Sequence, residues 1–261
     1  MAPPPGHITE VVMRFLPRLR SFLGRHIDAP LDPDAPFAAI GDVHGRDDLL
    51  ERLLGRLEGE LPAGAPLVLL GDYVDRGAAS AGVLRRLQAL DAEARVTCLC
   101  GNHEAMLIEF LDYPVLAGPR WLRNGGVQTL ESFGVTGMPA GPEASDWEAL
   151  RDRFRGAMGG DLETWLRARP LRWQSGNVAA VHAGADPARP LSDQRDDVLL
   201  WGHPSFATMR RRDGTWVVHG HTIVPRPAAA GGRISVDTGA YATGVLTAAI
   251  VEPGSVRFVS T

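Results

Sequence analysis

APLVLLGDYVDRG, residues 65–77, runs through six apolar or small residues and then breaks into glycine, two aspartates and an arginine. An apolar run this short, stopped by glycine, has the length of a buried strand, which places the polar cluster at its carboxyl end. The same arrangement recurs thirty residues away in each direction: Asp42 in FAAIGDVHG (37–45) precedes Asp72 by thirty, and Asn102 in RVTCLCGNHE (95–104) follows it by thirty. Helix-like segments at 47–59 and 79–91 fill the intervals, and this spacing is about that of a strand-helix-strand unit. The spacing therefore predicts parallel strands joined by crossover helices, with the three polar clusters meeting beyond the strand ends.

Downstream, residues 112–176 carry Trp121, Trp147, Trp165 and Trp173 among helically spaced residues and read as a helical insertion or cap. Short apolar runs then return: NVAAV (177–181) into HAG, TWVV (215–218) into HGHT, RISV (233–236) into DTG, and strands near 245–251 and 255–260. This group reads as a second sheet. Upstream, DAPLDPDAP (28–36) reads as a linker, so the chain divides into an extension, 1–36, and a main domain, 37–261. Within the extension, residues 11–27 form a basic amphipathic segment interrupted by Pro17. Such a segment can lie on a membrane surface, bind a partner, or pack a terminal helix against its own domain.

A net charge of −4 over 261 residues argues against general nucleic-acid affinity, which needs a basic excess. Cys98 and Cys100, two apart in an expected strand, read as reduced core residues. No apolar run has the length of a membrane span, and MAPPPGH lacks the pattern of a secretory signal. The expected location is cytoplasmic.

The polar residues at the strand ends are Asp42, His44, Asp72, Asn102, His182, His219 and His221. Carboxylate, imidazole and one amide suit manganese, iron or zinc, whereas an all-oxygen set would favour calcium or magnesium. One ion would not use so many groups. Two ions roughly 3.5–4 Å apart, bridged by a carboxylate, would use them and would make a hydroxide nucleophile of a bridging water, an arrangement suited to in-line hydrolysis of a phosphate ester.

GDVHG, GDYVDRG, GNHE, VHAG and HGHT, in this order, resemble the motifs of the calcineurin-like metallophosphoesterases, and within them the phosphoprotein phosphatase group that includes bacterial and phage protein serine/threonine phosphatases. NGGVQTLESFG and ISVDTGAYATGVLTA resemble stretches of the bacterial members. The resemblance implies an α/β fold of two packed mixed β-sheets flanked by helices, with a helical insertion and the metals where loops from both sheets meet. It also implies two divalent ions, manganese foremost, with iron, zinc and nickel as the other candidates. Asp42 and His44 would hold the first ion, Asp72 would bridge, and Asn102, His182 and His221 would hold the second. His103 would be the general acid, aimed and kept protonated by Asp75, and Arg76 would clamp phosphate oxygens. Asn102 also faces the substrate, and Glu104 opens the following helix. His219 is left as a structural hydrogen-bond partner, with ligation by both histidines as the alternative.

One departure stands in DDVLLWGHPSF (196–206), where relatives carry a phosphate-gripping arginine two residues after the tryptophan and this chain has His203. A shorter side chain with fewer donors weakens that grip unless Arg123 or the run Arg210, Arg211, Arg212 replaces it. The leading expectation is a phosphomonoesterase acting on phosphoserine, phosphothreonine or also phosphotyrosine in proteins and peptides. The alternatives are a symmetrical dinucleoside tetraphosphate hydrolase and a non-catalytic phosphate-binding scaffold. A nucleotide site would draw on stacking aromatics in 112–176.

Overall fold

The structure, a computed structural model, describes residues 29–137 and 143–261, so the amphipathic segment 11–27 lies outside the described residues. The first three units form as their spacing predicts: β1 (Phe37–Ile40), α1 (Asp47–Leu57), β2 (Leu67–Leu69), α2 (Ser80–Asp91) and β3 (Val96–Cys98). The three strands pair in parallel, β1 with β2 and β2 with β3. A helical run follows, α3 (Asn102–Asp112), α4 (Pro114–Trp121), α5 (Val127–Ser132), α6 (Ala144–Met158) and α7 (Gly160–Arg167). The remaining elements are β4 (Arg172–Ser175), β5 (Val178–Val181), α8 (Asp196–Trp201), β6 (Trp216–His219), β7 (Ala228–Ala230), β8 (Arg233–Ser235), α9 (Ala240–Thr243), β9 (Thr247–Glu252) and β10 (Ser255–Ser260).

Two mixed sheets result, ordered β10-β9-β1-β2-β3 and β4-β5-β6-β8-β7. The last two strands, read from sequence as part of the second group, belong instead to the first sheet, where β9 pairs antiparallel with β1 and β10 with β9. Burial gives the reason. Residues 248–251 are all apolar, so both faces of β9 need cover. Beside β1, Ala248 and Ile250 join Ala38 and Ile40 in the core under the helices, while Ala249 and Val251 join Phe37 and Ala39 in the core between the sheets. That second core is completed by Val178, Ala180, Val218 and Ile234 from the facing sheet.

The alternation places helices outside both sheets. Leu49, Leu50, Leu53 and Leu57 of α1 and Val83, Leu84 and Leu87 of α2 cover the first sheet, and Leu199 of α8 packs with Val181 and Val217 on the outside of the second. Residues 29–36 run along the second sheet: Leu31 is buried in the core between the sheets, Asn177 donates to the carbonyls of Pro30 and Asp32, and the Trp216 indole donates to that of Ala29. Cys98 and Cys100 are buried free thiols. Among the described residues no helix is long and apolar enough to cross a membrane.

Candidate metal centre and active site

Six parallel strands deliver the site from their carboxyl ends. Asp42 and His44 follow β1, Asp72, Asp75 and Arg76 follow β2, and Asn102, His103 and Glu104 follow β3. From the second sheet, His182 follows β5, His221 follows β6 and Asp237 follows β8. Except for Arg76 and His221, which are half-buried, all these residues are buried.

The backbone here is under strain. Among the described non-glycine residues, those with positive φ are His44, Asp72, Asp75, Arg76 and His221, all in this site. Such conformations cost of order 1–3 kcal/mol each and persist only where the surroundings over-determine them. Glu104 is one such determinant. Its carboxylate accepts from the amides of Asp72 and Tyr73 at 2.7 Å, Gly101 at 2.9 Å and Val74 at 3.2 Å, tying the loop after β2 to the first turn of α3. Its role reaches beyond the helix start expected from sequence. Gly101 cannot be enlarged, because a Cβ there would lie 2.3 Å from Asp72 Oδ1.

Two groups of ligand atoms converge and share Asp72: His44, Asp72 and His103 in one, Asp72, His182 and His221 in the other, with the atoms of each group within 4.8 Å of one another. His44 and His182 are oriented alike, their Nδ1 atoms donating to the carbonyls of Val74 (2.8 Å) and Leu70 (3.0 Å), which leaves Nε2 facing the site. Burial pushes His182 down to about 3 and His221 to about 4, and holds His44 well below its usual range, so these imidazoles present lone pairs. His182 Nε2 thus faces two acceptors, Asn102 Oδ1 at 2.8 Å and Asp72 Oδ1 at 3.3 Å. Acceptors converging on acceptors call for a cation between them. The carboxylates say the same: burial, and then the charges of Asp237 and Asp72, hold Asp42 well above the usual range, and burial with Asp72 lifts Asp237 to about 6. The donor set fits divalent metal ions.

The Asp42 carboxylate accepts the His221 amide at 3.1 and 3.0 Å, and the group that converges with His44 is formed by Asp72 and His103. His219 turns away, with Nδ1 on the Gly220 carbonyl (3.0 Å) and Nε2 on Ser235 Oγ (2.9 Å), so His221 is the histidine of this motif that joins Asp72 and His182. His103 Nδ1 donates to Asp75 Oδ2 at 2.7 Å, and its Nε2 meets Arg76 Nη2 at 3.0 Å. Burial, with Arg76 beside it, lowers the His103 pKa despite the opposing charge of Asp72. Arg76 spends its other terminal nitrogen on His44 Nε2 (2.9 Å), and its guanidinium lies 4.7 Å from the Tyr241 ring centre. His203 is paired with Asp186 (3.9 Å) and accepts from the Ser205 amide (3.3 Å).

Sequence reasoning passed over four contributors. Asp237 carries the same signal as Asp42, an aspartate just past a strand, in the DTG that closes RISV. Trp121 and Thr129 donate to the Asp75 carboxylate, at 3.1 and 2.7 Å, from the helical region, where no spacing marks them. Tyr241 lies in α9, edge-on to His44 at 5.3 Å.

The family model for calcineurin-like phosphoesterases matches residues 35–225. An asymmetrical bis(5'-nucleosyl)-tetraphosphatase of Bacillus velezensis is 26% identical over 77% of this chain and 82% of its own length. A symmetrical bis(5'-nucleosyl)-tetraphosphatase of Ralstonia nicotianae is 36% identical over 60% of this chain, which spans 45% of that protein. Among solved structures, one provisionally assigned as a diadenosine tetraphosphatase superposes with a TM-score of 0.61 at 23% identity, over 89% of this chain and 98% of the other, and has the same fold.

Proposed function

Given that the chain belongs to the calcineurin-like phosphoesterases, we propose that it hydrolyses the polyphosphate bridge of a dinucleoside tetraphosphate. The observation that carries this reading is the similarity to relatives named for that activity, one of them aligned over most of both chains. It displaces the phosphoserine and phosphothreonine substrates expected from sequence, which the relatives' names do not support. Asp42, His44, Asp72, Asn102, His182 and His221 are the residues proposed to hold two divalent ions. Ions there would supply positive charge to phosphoryl oxygens and acidify water at neutral pH.

The chain's own groups do the rest. Arg76 offers two guanidinium donors to a phosphoryl group in place of the imidazole nitrogens of His44 and His103. Once Arg76 turns to the phosphoryl group, His103 Nε2 is free to take up a proton from solvent and, with Nδ1 held by Asp75, to deliver it to the departing oxygen. A nucleotide leaving group carries a phosphate whose second pKa is about 6, so it needs that proton less than an alkoxide leaving from phosphoserine would.

The test is incubation of the full chain, loaded in turn with manganese, iron, zinc and nickel, with diadenosine tetraphosphate and with a phosphopeptide panel. Release of ADP alone marks symmetrical cleavage and ATP with AMP asymmetrical cleavage. Phosphate release from the peptides with no cleavage of the dinucleotide would overturn the proposal.

A further inference from the structure

The four tryptophans of 112–176 offer no platform for a nucleobase. Trp121 is fully buried, stacked on Phe110 with its indole nitrogen on Asp75, and Trp147 is buried. Trp165 and Trp173 are half-buried, the first hydrogen-bonded to Asp91 and the second against Phe37. The exposed indole lies elsewhere. Trp201, the last residue of α8, keeps 41% of its surface exposed, although aromatic side chains of this size are normally largely covered.

Its position gives that exposure a meaning. The Trp201 ring centre lies 6.5 Å from that of His221, which the metal-binding group shares with Asp72 and His182. The guanidinium of Arg120, on α4, lies 4.7 Å over the indole and is steadied by Glu109 at 3.8 Å. A flat π surface backed by a cation, one residue's width from a phosphate-directed centre, matches a nucleotide: phosphates at the metals, base on the ring. We propose that Trp201, backed by Arg120, is the stacking platform for one nucleobase of the substrate, a role that rests on the dinucleotide reading above.

The test separates the base from the phosphates. Equilibrium binding of ADP and of inorganic pyrophosphate to the full, manganese-loaded chain is measured for the native protein, Trp201→Ala and Trp201→Phe. ADP should bind the native chain roughly tenfold more tightly than pyrophosphate, the scale of one base stacked on an aromatic ring. Trp201→Ala should bring that ratio close to one, and Trp201→Phe, which keeps a π face, should restore most of it. A ratio equal to the native one in Trp201→Ala overturns the platform. So does a native chain that binds ADP no better than pyrophosphate. Cleavage of diadenosine tetraphosphate by the native chain reports separately on the dinucleotide reading, so its loss and the loss of the platform are told apart.

Discussion

Raising the pH of the metal-free protein should destabilise it, because its centre crowds carboxylates that the fold resists charging. Glu104 carries the argument, since burial and the Asp72 charge lift it from an ordinary 4.5 to about 8 in spite of the amides it accepts from. A carboxyl whose folded pKa is raised contributes stability that is complete below its unfolded pKa and is lost as pH climbs through the folded one. Histidines act with the opposite sign. His182 at about 3 and His219 and His221 at about 4, against an ordinary 6.5, favour the fold above 6.5 and lose that contribution as pH falls. At pH 6.5 the unfolded histidines are still half protonated, so their contribution levels off only about one unit higher, and above about pH 7.5 the carboxyl slope stands alone. Between pH 7.5 and 9 Glu104 accounts for about 1 kcal/mol, and Asp42 and Asp75, both raised by burial, add in the same direction. For a chain of this size that is a fall of roughly 2–4 °C in Tm. Thermal unfolding of chelator-treated protein should show this decline above about pH 7.5. Added manganese should flatten or reverse the decline, because ions bind the charged carboxylates best. Glu104→Gln should lower Tm at pH 6.5 and make the alkaline slope shallower. A metal-free Tm that stays level or rises from pH 7.5 to 9 would refute the crowding argument.

Gly125→Ala should cut kcat/KM through Arg76: Gly125 sits at φ +105, and a Cβ there would lie 2.6 Å from the Arg76 amide nitrogen. The expected destabilisation is about 1–3 kcal/mol, read by denaturant titration, and native kinetics would show that the Gly125 contact does not set the arginine. His103→Asn should lower kcat for diadenosine tetraphosphate by about 10²-fold, the low end for a general acid, and lower kcat for an alkyl phosphate further. Equal losses on both substrates would remove His103 from the proton-donor role. His221→Ala should reduce the metal content found by elemental analysis, while His219→Ala should keep the metal and lower Tm through the lost Ser235 contact. Equal metal loss in both variants would place His219 among the ligands.

The parts of the fold visible in sequence are those where a short apolar run and a polar break coincide. FAAI, RISV and NVAAV became strands for that reason, and Asp42, Asp72, Asn102 and His182 met because parallel strands present their carboxyl ends on one side. Pairing between distant segments is another matter. β9 could have joined either sheet on composition alone, and the demand for cover on both its faces, met beside β1, decided it. The site divides in the same way. Residues adjacent in a motif were legible, whereas supports arriving from other elements were not: Trp121 and Thr129 reach Asp75 from helices 46 and 54 residues away, and nothing in their own neighbourhoods marks them. His219 and His221 show the boundary between the two kinds of information. Their spacing of two allowed either to be the ligand, and what separated them was Ser235, a residue on the next strand that takes up the free nitrogen of His219 and leaves His221 to face Asn102.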